Sequence, residues 1–261
     1  MLRVLAARYL CITEGELMAR RKRRDIYGGR DPRHIPTYSV WQSAFLLKIP
    51  PNTLRSWVYG RDYDTERYGK RKFRPLITLP DEDKPLLSFV NLVEAHVLDA
   101  IRYKHRIPLP NVRSAIEHLR EKYGSQHPLA EFWFQQAGLD LIVDVAGRLE
   151  NVSKRGQLEI REWITAYLTR IDRDPAGSAV ALYPYLTRHP QQVKGEPKIV
   201  LIDPRISFGK AILVTVGVPT AVIADRHEAG EPINELAIDY GCEASEIKQA
   251  IDYERALPKA A

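Results

Sequence analysis

The spacing of apolar positions changes several times along the 261-residue chain, and each change marks a boundary. Residues 1–36 hold neither a two-residue nor a 3.6-residue period and contain Gly28, Gly29, Pro32 and Pro36, which predicts an irregular leader. Two short helical patterns lie between Thr37 and Gly60. Val40, Ala44 and Leu47 form the apolar stripe of the first, Leu54, Trp57 and Val58 that of the second, and Ile49 fills the turn. Ile49-Pro50-Pro51 separates them, because proline supplies no amide donor and pushes its predecessor out of helical conformation. The polar stretch Asp62 to Lys72 runs into Phe73–Leu79, read as a strand that closes a wing. Ser88 then reads as the cap of a longer helix carrying Phe89, Leu92, Val93, Val97, Ala100 and Ile101 and ending near Arg106. Val112, Ala115, Ile116 and Leu119 predict a further helix that stops at Gly124. Aromatic and β-branched residues in Phe132 to Val152 predict two or three strands, and Gln157 to Ile171 returns to a helix.

Asp172 to Pro197 is rich in proline and glycine and is the best candidate linker. After it come a strand over Ile199–Ile202, a hairpin region through Val218, and helices near Pro219–Ala229, Pro232–Tyr240 and Glu243–Leu257. The expected fold is mainly α with short β elements, without a sequence repeat. Its divisions are a basic leader (1–36), a winged helix-turn-helix (37–81), an α/β connecting region (82–180), a linker (181–197) and a C-terminal module of hairpin plus three helices (198–261). Met18 offers a second candidate start.

Charge sharpens this picture. The net charge is +6, yet residues 1–75 hold 17 Lys and Arg against 7 Asp and Glu, so the basic character belongs to the N-terminal part. Arg20, Arg21, Lys22, Arg23 and Arg24 make either a phosphate-binding arm, which gains by releasing counterions, or a solvated tail. Pro219 to Leu257 carries nine acidic residues against three basic, a net −6 that repels DNA. Glu243 and Glu246 open the last of its helices, where they either exclude phosphate or simply suit the helix dipole. The longest nearly apolar run, Ala211 to Ala224, is broken by Thr215, Gly217, Pro219 and Thr220 and is too short for a membrane span. Arg3 and Arg8 interrupt the first apolar stretch, which argues against a secretory signal. With only Cys11 and Cys242, no disulfide framework is indicated, and a cytoplasmic location is expected.

The helix pair carries the clearest chemistry. If Leu54, Trp57 and Val58 face inward, Thr53, Arg55, Ser56 and Tyr59 lie on or beside the outer face, with Asn52 placed to cap the helix. A second helix offering N-terminal side chains is the geometry of a major-groove reader. Arg55 either forks onto guanine or holds a phosphate, and the sequence does not choose between them. Arg61, Arg67, Lys70, Arg71, Lys72 and Arg74, interleaved with Tyr63 and Tyr68, would straddle the DNA backbone or a minor groove. The alternative is a helical hairpin within a larger core.

The spacing Ala44-x-x-Leu47-x-Ile49-x-x-x-Thr53-Leu54-Arg55-x-Trp57 resembles the winged helix-turn-helix of the MerR family. No cysteine cluster follows, so metal sensing does not carry over. Ile202-Asp203-Pro204, Ile206, Phe208-Gly209-Lys210, Val218-Pro219-Thr220, Ala229-Gly230-Glu231, Leu236-Ala237, Tyr240-Gly241 and Ile251 to Glu254 resemble the family called domain of unknown function 433. Lys210 to Val216 departs from that family's usual proline and glycine turn. The two resemblances cover under half of the chain. Members of the second family are often antitoxins paired with a PIN-like ribonuclease toxin, and they commonly repress their own operon.

Catalysis finds little support. The seven histidines are scattered, no His-x-x-x-His or Cys-x-x-Cys pair supplies metal ligands, and Gly28-Gly29 lacks the Gly-Lys-Ser/Thr of a phosphate loop. His96 and Asp99 share a helix face and read as a surface or interface pair. The sequence therefore implies a dimeric binding protein without catalytic residues, metal or cofactor, whose partners are double-stranded DNA and, as the second resemblance implies, a PIN-like toxin. A free-standing regulator without a toxin is the first alternative, and an enzyme acting on nucleic acid, which a basic arm and wing would serve equally well, is the second.

Overall fold

The computed structural model describes residues 27–65, 69–103, 108–131, 134, 137–149, 154–186 and 195–256. Contacts divide the chain after Asp31. In the first unit Tyr27–Arg30 form a turn, and the basic cluster of residues 20–24 lies outside the described residues.

The second unit opens with the expected helix pair, α1 (Val40–Leu47) and α2 (Pro51–Tyr59). Ala44, Leu47, Ile49, Leu54, Trp57 and Val58 are all buried, and Val40 packs partly against them. Asn52 does not cap α2. Pro50 holds the cap position with no side-chain bond, so Asn52 sits exposed inside the first turn. An antiparallel hairpin comes next, β1 (Arg61–Thr65) and β2 (Gly69–Phe73). The strand expected over Phe73–Leu79 ends at Phe73. The chain bends inward there because the Leu76 and Ile77 amides bond the Trp57 carbonyl at 2.8 and 3.1 Å.

Helix α3 (Phe89–Tyr103) runs through the centre and is buried from Phe89 to Ile101. A helix buried on every face must satisfy its polar side chains internally. Glu94 accepts from Asn91 and lies 3.1 Å from His127 Nδ1, while His96 Nε2 meets the Tyr167 carbonyl at 3.1 Å. His96 and Asp99 are therefore core residues, not a surface pair. Around α3 pack α4 (Leu109–Tyr123), α5 (Ala137–Leu149) and α6 (Lys154–Leu168). Helix α5 replaces the strands expected over Phe132 to Val152. Leu139, Ile142 and Val143 are buried at helical spacing, and that periodicity prevails over β-prone composition.

The proposed linker is also structured in part. β3 (Ile171–Arg173), β4 (Ala179–Leu182), β5 (Val200–Ile202) and β6 (Ala211–Leu213) form one antiparallel sheet in that order. Buried Arg170 lashes the connection by donating to the Tyr183, Pro184, Glu196 and Pro197 carbonyls. A single guanidinium, with its rigid fork of donors, thus holds a proline-rich stretch that reads as flexible. Helices α7 (Thr220–Glu228), α8 (Ile233–Tyr240) and α9 (Ala244–Arg255) complete the chain. Their own small core comprises Leu213, Ile223, Leu236, Ala237, Ile247, Ala250 and Ile251. The architecture is mainly helical with small sheets. Among the described residues, no helix is long and apolar enough to cross a membrane.

Candidate nucleic-acid interface

Helix α2 presents the face that its periodicity predicts. Asn52, Arg55 and Tyr59 are exposed, while Thr53 and Ser56 are half-buried. Ser56 Oγ donates to the Thr53 carbonyl at 2.7 Å, which tucks it against the helix. The Arg55 guanidinium lies 5.4 Å from the centre of the Tyr59 ring, and Tyr59 in turn donates to the Pro85 carbonyl at 3.3 Å. The arginine is thus steadied from one side with its donors left facing water, an arrangement suited to a planar acceptor pair or a phosphate.

The hairpin sits directly after this helix because Gly60 permits a close crossing. Its φ is 74°, and a Cβ there would lie 2.2 Å from the Phe73 carbonyl oxygen. Arg61, Lys72 and Arg74 are exposed at the hairpin's base. The side chains of Lys70, Arg71 and Tyr63, and the whole of Arg67 and Tyr68, lie outside the described residues. The register sets Asp62 opposite Lys72 and Asp64 opposite Lys70, so the wing is less purely basic than its lysines and arginines suggest.

Other residues that hold this surface escaped sequence reasoning. Arg113 of α4 donates to the Pro75 carbonyl at 2.9 Å and to that of Arg74, and its guanidinium lies 4.9 Å from the Phe73 ring centre. Burial lowers its pKa, Glu117 opposes this, and Arg74 and Arg120 lower it further, a sign of concentrated positive charge. Arg120 bonds the Leu76 carbonyl and Thr78 at 3.4 and 3.3 Å. The two arginines fall at a seven-residue spacing on one helix face, which is the only sequence signal they leave.

The opposite side of the helix pair is docked on the C-terminal module. Lys48, at the end of α1, is buried, and its Nζ donates to the Tyr253 carbonyl at 2.5 Å. That ammonium sits 4.1 and 3.9 Å from the Phe45 and Tyr253 ring centres. Burial pushes its pKa down to about 8 against the pull of Glu254. Tyr253 Oη donates to the Leu46 carbonyl at 2.8 Å, and Tyr38 Oη to that of Gly209 at 3.0 Å. A Cβ at Gly209 would stand in the place of the Tyr38 hydroxyl. Tyr253, Ile247 and Ile251 are all buried.

Similarity to known families falls on the same two ends. Residues 36–116 match the family described as "Putative DNA-binding HTH domain", a span that reaches Arg113. Residues 200–253 match "Protein of unknown function (DUF433)". The chain is 26% identical over 235 residues to the "Putative antitoxin VapB45" of Mycobacterium tuberculosis (strain ATCC 25618 / H37Rv), covering 84% of this chain and 93% of that protein. It is 28% identical over 216 residues to "Uncharacterized protein Rv2308" of the same strain, covering 80% and 85% respectively. The crystal structure of Rv2018 from Mycobacterium tuberculosis shares the fold, with a TM-score of 0.60 at 23% identity, covering 83% of this chain and 98% of that one. A DNA-binding helix-turn-helix family thus matches the basic end of the molecule, and DUF433 matches the acidic end.

Proposed function

We propose that this chain is the DNA-binding antitoxin of a type II toxin–antitoxin pair, neutralising a PIN-like ribonuclease toxin and repressing its own operon. The observation that carries this reading is the exposed face of α2, with Arg55 steadied on Tyr59 beside a hairpin of basic residues. In this reading α1, α2 and the hairpin work as a MerR-like winged helix-turn-helix. Asn52, Thr53, Arg55, Ser56 and Tyr59 approach the major groove, and Arg61, Lys70, Arg71, Lys72 and Arg74 approach the backbone. A homodimer supplies two readers to a palindromic operator in the cytoplasm. The similarity to a protein named as an antitoxin supports the second role, and the acidic C-terminal module is the end that meets the toxin. The chain acts by binding and performs no catalysis.

Two measurements test this. Purified protein should bind the DNA upstream of its own gene far more tightly than a scrambled duplex at the same salt concentration. It should also form a stable complex with the product of a short adjacent reading frame and suppress that product's ribonuclease activity. Operator binding without the complex would leave the free-standing regulator, and failure of both would remove the reading.

A further inference from the structure

The C-terminal module carries an open groove of about 430 Å³ lined by Thr215, Ala237, Ile238, Gly241, Cys242, Glu243 and Glu246. Beside it stands Ile238 of α8, 80% exposed although Leu236 and Ala237 next to it are buried in the module's core. The groove is therefore apolar at its lip and acidic at its end. Glu243 and Glu246 close a capping box there, and Thr215 Oγ1 bonds Glu246. The Cys242 thiol registers the local field, its pKa raised by burial and then by the charges of Glu246 and Glu243.

We infer that this groove seats a cationic segment of a partner protein, with an apolar side chain against Ile238 and Lys or Arg side chains against Glu243 and Glu246. Charge complementarity selects this occupant. DNA is repelled by a surface whose stretch 219–257 carries net −6. A second copy meeting it by two-fold symmetry would oppose like charges, and a head-to-tail contact with the basic end of another copy would build a ring or a filament rather than the two-fold dimer proposed above. A heterologous basic polypeptide meets neither obstacle. Two further acids of α8 and its approach, Glu231 and Asp239, are already engaged by Arg226, so the carboxylates at the groove carry the attraction. A ribonuclease must itself carry cationic surface to hold RNA, which fits the partner proposed above. This inference rests on that partner-binding reading.

The test uses the full chain and two probes. The first is a fluorescent peptide of alternating lysine and leucine, compared with lysine–serine and glutamate–leucine analogues. The lysine–leucine peptide should bind with salt-weakened affinity, and Ile238→Ser should weaken it about tenfold or more, since burying one such side chain is worth roughly 1.5–3 kcal/mol. Val222→Ser, at an exposed apolar position on α7, should change nothing. Equal binding of the lysine–serine peptide, or indifference to Ile238→Ser, would overturn the inference. The second probe is the product of the adjacent reading frame. Its capture by the wild type and loss with Ile238→Ser would support the groove. Its equal capture by the variant would overturn the groove and leave the antitoxin reading standing. Ile238-dependent peptide binding without any capture would keep the groove and remove the toxin.

Discussion

The turn between α1 and α2 and the turn between α8 and α9 are the same backbone device. In the first, the Lys48 amide bonds the Phe45 carbonyl at 3.2 Å and the Ile49 amide bonds that of Ala44 at 3.0 Å. In the second, Gly241 bonds Ile238 at 3.2 Å and Cys242 bonds Ala237 at 3.0 Å. Both ends are Schellman motifs with the pivotal residue left-handed, at φ 58° for Lys48 and 66° for Gly241. The helices after the two turns differ. Helix α2 opens with Pro51 and displays Asn52 and Arg55, whereas α9 is capped by Glu243 and carries Glu246 in its first turn. Two similar helix pairs thus present opposite charges, because the fold sets where side chains stand and their identity sets the charge shown to whatever approaches.

The comparison can be broken at several points. Trp57 is buried in the large core that α2 shares with α3, so Trp57→Ala should lower stability by about 3–5 kcal/mol in urea unfolding. A loss under about 1 kcal/mol would mean that the N-terminal pair does not depend on that core. Acid tests the same core from its centre. Burial depresses the pKa of His96 to about 4, the Tyr167 carbonyl opposes the shift, and Arg170 adds to it. The unfolded histidine takes up its proton near pH 6.5, so the native state is penalised below that. Stability should be intact above about pH 6.5 and fall by about 3 kcal/mol as pH drops to 4. A flat urea midpoint over that window in the wild type would contradict this.

Arg55→Ala should weaken operator binding by about 1–3 kcal/mol if the arginine reads a base, with a smaller change on scrambled duplex. Equal losses on both duplexes would make it a phosphate contact, and an unchanged affinity would remove it from the site. The smallest effect is the most pointed. If the two turns were interchangeable, Lys48→Gly would stabilise by roughly 1 kcal/mol through relief of the left-handed strain. We expect a net loss of about 1 kcal/mol, since an unpaired Tyr253 carbonyl costs roughly 1–3 kcal/mol and the stacked ammonium is gone. Thermal unfolding of the variant decides the sign.

Much of the helix pair is legible in the sequence because Leu54, Trp57 and Val58 repeat at helical spacing and prolines punctuate the turn. The outward residues emerge from that period by subtraction. The α5 region misleads because its composition favours strands, whereas the burial of Leu139, Ile142 and Val143 obeys the helix. Lys48, Arg113, Arg120 and Arg170 are invisible as structural residues for a common reason. Each meets backbone carbonyls of segments distant in sequence or rich in proline, and carbonyls leave no mark in the identity of the residues that bear them. The groove beside Ile238 is hidden similarly, because an exposed isoleucine on an amphipathic helix reads as core.

The four-stranded sheet bears on how such a chain can be cut and recombined. β4 hydrogen-bonds β5 through the pair Leu182 and Ile202, so the seam at residue 198 suggested by the sequence would split one sheet between two fragments. The same cut would strip Tyr253 of its seat on α1. The C-terminal module is thus a poor cassette. A crossover that shuffled it between genes would have to fall before Ile171 and would still need the donor to supply a match for Lys48. In the reading proposed above, partner choice and DNA choice are therefore expected to be inherited together, with new pairings arising by point substitution at surfaces such as Ile238 and Arg55 rather than by exchange of whole ends.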